Sequence, residues 1–190
     1  MPVSRKKRHS GFTLIELVAG LVVFSVVMLI VINLVTSQSR RSIDPIWQVR
    51  AAELASSLTN EIMSKAFDEN SNLSGGGERC NEGTPCTISG SLGPDADEVA
   101  PAGGRADYDD IDDYHGLNQS DGNILSSLGT AMLVDGRPLY QGYSARVSVF
   151  YDDNLDGIAD AGIGNTKLVV ITVTTPDNLE ITFSRYRWNF

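Results

Sequence analysis

A chain of 190 residues with 42% hydrophobic content has room for one domain with a real core plus a segment that stays outside it. Its formal charge is -9, and loss of the four leader cations Arg5, Lys6, Lys7 and Arg8 would make it more negative still, which argues against nucleic acid as a partner of the soluble part. Two cysteines are too few for a disulfide-built scaffold but enough for one local staple in an oxidising compartment.

The leader Met1 to Gly11 is followed by an apolar run, Phe12 to Val35, in which Glu16 is the one side chain expected to carry charge. As a helix the run spans roughly 36 Å, enough for a bilayer core. A cleaved secretory signal would need a small-residue site after the run, and VTSQSRR from Val35 is not one. The leader cations hold the N-terminus in the cytoplasm and place the rest outside, a bias that Arg40 and Arg41 weaken without reversing.

Glu16 is the puzzle. A charge inside hydrocarbon costs roughly 2.5 kcal/mol or more on insertion scales, so the carboxylate needs a partner. A cut between Gly11 and Phe12 would create an α-amino group one helical turn away, at a frayed helix end in its own chain or on a staggered neighbour sharing the same dry environment. An ordinary signal anchor with a chance acid near its interface is the plainer alternative.

Beyond the anchor, Trp47, Ala51, Leu54, Leu58, Ile62 and Ala66 recur at intervals of three and four, with Arg50, Glu53, Asn60, Glu61 and Lys65 between them, one apolar stripe on a helix. Asp44-Pro45 reads as a capped restart. An independent helix after a linker would fit; one long bent helix is the favoured reading. Asp68 to Gly142, rich in Gly, Asp, Ser and Pro, predicts loops with short elements, and Asn123 to Val134 holds either a short helix or a strand. Cys80 and Cys86 enclose a short Gly- and Pro-containing loop, so a disulfide is expected, contributing about 2 kcal/mol at most. In DYDDIDDYHG (Asp107 to Gly116) the aspartates are read as caps of backbone N–H groups rather than as a second cation site. His115 has no nucleophile motif beside it, and an enzyme is not expected.

Three β-branched and aromatic runs close the chain: Ser144 to Tyr151, Lys167 to Thr175 and Leu179 to Arg187, the last two joined by Pro176-Asp177-Asn178. Leu179, Ile181 and Phe183 share a face that would lie on the helix stripe. Between the first two runs stands Asp152-Asp153-Asn154-Leu155-Asp156-Gly157-Ile158-Ala159-Asp160. Asp152, Asn154, Asp156 and Asp160, with the Ile158 carbonyl, form an oxygen set suited to calcium, and Gly157 permits the tight turn. An EF-hand would carry Glu where this chain has Ile163; the stretch is similar instead to shorter calcium loops of pilus-associated proteins. A solvated hairpin loop is the alternative.

Gly11-Phe12-Thr13-Leu14-Ile15-Glu16-Leu17 behind a short basic leader resembles the class III signal of type IV pilins and type II secretion pseudopilins. The resemblance implies cleavage after Gly11 and N-methylation of Phe12 by prepilin peptidase, and a role for Glu16 in registering subunits. It also implies an inner-membrane assembly platform, other pilin subunits as partners, and an α+β roll: a long N-terminal helix on an antiparallel sheet of three to four strands. The boundaries expected are residues 1–11 as leader, 12–35 as membrane or filament-core helix and 36–190 as the periplasmic or extracellular domain. Many pilins of this family kink the first helix at a membrane proline; this chain has Asn33 there, and its first candidate kink is Pro45.

SRRSIDPIWQVRAAELASSLTNEIMSKAFDEN, DYDDIDDYHG and KLVVITVTTPDNLEITFSRYRWNF resemble, more narrowly, the minor pilin D group of the mannose-sensitive haemagglutinin (MSHA) type IV pilus. That implies a low-abundance subunit of a surface filament used in attachment; Asn118 to Leu139 matches nothing in that group. The rivals are a type II secretion pseudopilin and a membrane-tethered, calcium-dependent adhesive module that never polymerises.

Overall fold

The computed structural model describes residues 13–71 and 79–189, with the backbone alone over 35–44. Gly11 and Phe12 lie outside the described residues. One helix, α1, runs Leu14–Met63. The chain divides into two compact units, Met1–Ile46 and Trp47–Phe190.

In the first unit, Leu14–Leu34 has a mean hydropathy of 2.9 and no residue buried within the chain, and it is long and apolar enough to cross a membrane. Two of its polar side chains turn back on their own helix: Ser25 Oγ donates to the Leu21 carbonyl at 2.8 Å and Asn33 Nδ2 to the Leu29 carbonyl at 3.0 Å. Such back-bonding leaves little polar surface for hydrocarbon to meet. Pro45 lies inside α1 rather than opening a second helix, so the capped restart at Asp44-Pro45 is not observed. Proline removes one main-chain donor, and helical pairing resumes on either side of it.

In the second unit, Ala51, Leu54, Ala55, Leu58 and Ile62 of α1 are buried together, with Trp47 half-buried beside them. They pack on a four-stranded antiparallel sheet of order β1-β4-β5-β6: β1 Asn118–Ser120, β4 Ser144–Tyr151, β5 Thr166–Thr174 and β6 Glu180–Trp188. The fold is thus α+β with four strands. β4 gives Ala145, Val147, Val149 and Tyr151 to the core, and β5 gives Val169, Ile171 and Val173, in the alternation that a half-buried strand requires. A fully buried Leu or Ile contributes about 1.5–3 kcal/mol, so this shared face dominates the unit's cohesion.

The β5–β6 turn uses Asn178 in the left-handed region, φ 63°, with its N–H on the Thr175 carbonyl at 2.9 Å. Leu179, expected to face the helix, is 41% exposed at that turn, whereas Ile181 and Phe183 pack on the core. A two-stranded hairpin pairs β2 Leu133–Val134 with β3 Arg137–Pro138. Asn123 to Val134 therefore ends in a strand, and contains no helix. The acidic segment is fastened to the end of α1 by a parallel bridge, in which the Ala66 N–H reaches the Asp109 carbonyl at 3.0 Å and the Ile111 N–H the Ala66 carbonyl at 3.1 Å.

Candidate functional site

The loop after β4 is closed at its base by the Asp160 N–H on the Tyr151 carbonyl at 2.8 Å and the Asp152 N–H on the Thr166 carbonyl at 3.0 Å. Asp152 is wholly buried; its Oδ1 accepts the Asp156 N–H at 3.1 Å, and its Oδ2 accepts the Gly157 N–H at 2.9 Å and the Tyr186 hydroxyl at 2.7 Å. Desolvation pushes the Asp152 carboxyl up, but the Tyr186 hydroxyl and the N–H groups of Gly157, Asp156 and Leu155 outweigh it and hold the carboxyl below its usual range. Asn154 Oδ1 accepts the Asp156 N–H at 3.1 Å, Asp156 accepts from Ile158 N–H and Asn154 Nδ2, and Asp160 Oδ2 accepts from Asp153 N–H at 2.9 Å. Leu155 and Gly157 take positive φ, 61° and 80°, which is the turn the Asp-Gly pattern asks for.

The donor chemistry of Asp152, Asn154, Asp156, Asp160 and the Ile158 carbonyl is all oxygen, and Asp156 and Asp160 keep unused lone pairs, so it fits a hard cation such as calcium. The geometry shown is that of a loop satisfied by its own N–H groups. Among the described residues, the three carboxylates whose ligand atoms gather within 4.8 Å of one another are Glu98, Asp109 and Asp113, in a different place.

In that acidic segment the capping role expected of the aspartates is seen directly. Asp113 Oδ2 accepts the N–H groups of Asp109 and Asp110 at 3.0 and 2.9 Å, and Asp110 Oδ1 those of Asp112 and Asp113 at 2.7 and 3.3 Å. Burial, then the neighbouring Asp112 charge, pushes the Asp110 carboxyl up to about 8; burial and Asp110 push Asp113 up to about 8. The ring of His115 is exposed, and its Nδ1 accepts the Val149 N–H at 3.1 Å. Cys80 and Cys86 are joined in a disulfide, and Asn189 Nδ2 reaches the Cys80 carbonyl at 2.9 Å.

Two inward-facing charged clusters, around Lys167 and around Glu61, escaped the sequence reading. Lys167, taken as the opening residue of a strand, is completely buried; its Nζ donates to the Phe67 carbonyl at 2.7 Å, to Asp68 Oδ2 at 3.1 Å and to Asp112 Oδ1. The Phe67 and Tyr151 rings flank it, with centroids 4.5 and 5.2 Å from Nζ. Glu61, assigned to the polar face of α1, is instead drawn inward: Arg105 grips it through Nε at 3.1 Å and Nη2 at 2.7 Å, and the Tyr114 hydroxyl donates to it at 2.9 Å. Arg105 Nη1 continues to Gln119 Oε1 and the Leu125 carbonyl. The available signal was a lone Lys opening KLVVITV, a run too apolar to leave its first residue in water.

At the other end of the chain, the Thr13 carbonyl accepts the N–H groups of Glu16 and Leu17 at 3.1 and 3.2 Å, which places Glu16 in the first turn of α1. A carboxylate there faces the positive end of the helix dipole. Residues 6–32 match the family model described as the prokaryotic N-terminal methylation motif. The chain carries that motif. No curated protein and no solved structure matches the chain. The methylation motif indicates a type IV pilin-like or pseudopilin protein, points to a structural subunit, and implies contact with other pilins and with the prepilin peptidase that processes it. Together with the apolar span Leu14–Leu34 it fits a membrane-anchored subunit.

Proposed function

We propose that this protein is a minor pilin of an MSHA-like type IV pilus, cut after Gly11, N-methylated on Phe12 and stored in the inner membrane with its N-terminus cytoplasmic. From there it enters or primes a surface filament used in attachment. The observation that carries the reading is the methylation motif over residues 6–32. Glu16 in the first turn of an apolar helix and a second unit with its own core support it. The three sequence blocks resembling the MSHA group support the narrower assignment. Mass spectrometry of the mature protein from sheared filaments tests both levels: N-methyl-Phe12 is expected as the first residue, in filaments that contain the MSHA major subunit. A chain still beginning at Met1 would overturn the reading, and co-purification with an export machine instead would make it a pseudopilin.

Calcium at Asp152, Asn154, Asp156, Ile158 and Asp160 belongs to the same proposal, as a structural ion offsetting the repulsion of three aspartates and pinning the loop. Adding a chelator to the full chain in detergent should lower its Tm, and Asp156→Ala should abolish that response. An unchanged Tm on chelation would leave a loop held by hydrogen bonds alone.

A further inference from the structure

The polar cluster inside the second unit has a composition that an ion pair does not explain. Lys167 Nζ meets Asp68 and Asp112, and Asp110 lies against Asp112, its Oδ1 accepting the Asp112 N–H at 2.7 Å. Two carboxyl groups thus touch one ammonium, with a third beside Asp112, and Lys167, Asp68, Asp110 and Asp112 are each buried. Keeping so many charges dry is costly unless some are removed, by protonation or by covalent chemistry.

We propose that Lys167 and Asp112 are joined by an intramolecular amide bond, formed after folding by Asp68 and Asp110. The four residues divide naturally into roles. Lys167 Nζ is the nucleophile, and Asp112, touching it through Oδ1, carries the electrophilic carbon. Asp68 has oxygens fixed by the N–H groups of Asn70 and Thr87, and it lies 3.1 Å from Nζ, placed to accept a proton from the ammonium. Asp110, whose Oδ1 accepts the Asp112 N–H at 2.7 Å, is pushed up by burial to about 8, and as the acid beside Asp112 it supplies a proton to the departing oxygen.

In the reaction a Cγ–N bond forms and a Cγ–O bond of Asp112 breaks; two of the three ammonium protons leave with that oxygen as water. Ammonium plus carboxylate become amide plus water, with no net proton, oxidant or activating group required. Fixing both reactants in contact removes the entropy cost of bringing them together, and the rings of Phe67 and Tyr151 keep bulk water from reversing the step. The product eliminates two buried charges and ties the acidic segment Asp107 to Gly116 to strand β5 across a sequence separation of 55 residues. The inference stands independently of the filament reading.

The test is the intact mass of the full chain purified from cells, denatured and with its disulfide reduced. It should be lighter by one water than the mature linear chain, and protease digestion should yield a branched peptide joining the Asp112 segment to the Lys167 segment. Lys167→Met and Asp112→Ala should each restore the linear mass, and Asp110→Asn should accumulate the amide more slowly than the wild type. If those variants fail to fold, the wild-type mass and branched peptide still decide. A wild-type chain at its full linear mass overturns the proposal. So does a water lost within a single peptide, as by ring closure at Asp156-Gly157.

Discussion

Asp113 turns one oxygen to the N–H groups of Asp109 and Asp110, and the charged neighbours that matter most to it, Asp110 and Glu98, are themselves acids. Asp113 and Asp110 are pushed up to about 8, chiefly by burial. In the unfolded chain aspartates titrate near their ordinary 3.8, so between that value and about 8 the folded state binds more protons than the unfolded one. Stability is therefore greatest on the acid side of this window and is lost as pH rises through it. The Tm of the full chain should fall between about pH 5 and about pH 9, and Asp113→Asn, which keeps an accepting oxygen but cannot ionise, should shallow the slope. A Tm that climbs over the same range would contradict the burial argument. None of this could be read from the letters, because DYDDIDDYHG looks the same whether its acids face water or one another. Lys167 is the same case in reverse: its pairing with Asp68 and Asp112 joins residues far apart in sequence, and only the closed fold selects those two from the many aspartates present.

Helix α1 and the three long strands were legible because each writes its burial into a period. Spacings of three and four picked out Ala51, Leu54, Leu58 and Ile62, all buried, and the alternation of β4 and the turn at Asn178 were equally plain. The segment from Asp68 to Gly142 has no such signal, since its order comes from single contacts such as the Ala66–Asp110 bridge and the Arg105–Gln119 bond. The stripe makes a quantitative claim. Leu58→Ala should destabilise the second unit by about 2–5 kcal/mol, since Leu58 is 2% exposed within the core cluster and the space it leaves cannot collapse fully. Val49→Ala, at a position 58% exposed, should change it by no more than about 0.5 kcal/mol. Denaturant midpoints followed through Trp47, half-buried beside the stripe, would compare the two. Equal losses would mean that the outer face of α1 contributes as much as the inner one.

At the scale of the molecule, the apolar side chains of the span Leu14–Leu34 are exposed. A surface that large must be covered by lipid or by other subunits, and Glu16 responds to the two environments in opposite ways. Alone in a bilayer the carboxylate is a liability of roughly 2.5 kcal/mol or more on insertion scales. In the proposed filament, beside the amine of a trimmed neighbour, it would be half of a pair formed where little water screens it. Glu16→Ala removes the cost in the first setting and the attraction in the second. The variant should reach the membrane at least as abundantly as the wild type, while its content in sheared surface filaments falls sharply. Quantitative immunoblots of the two fractions give the ratio. A loss from both fractions would point to failed insertion or folding, and entry into filaments at the wild-type level would mean that the acid serves no role in assembly. The expected split, with retention in the membrane and exclusion from the filament, follows from electrostatics in two dry environments that differ in whether a counter-charge is present.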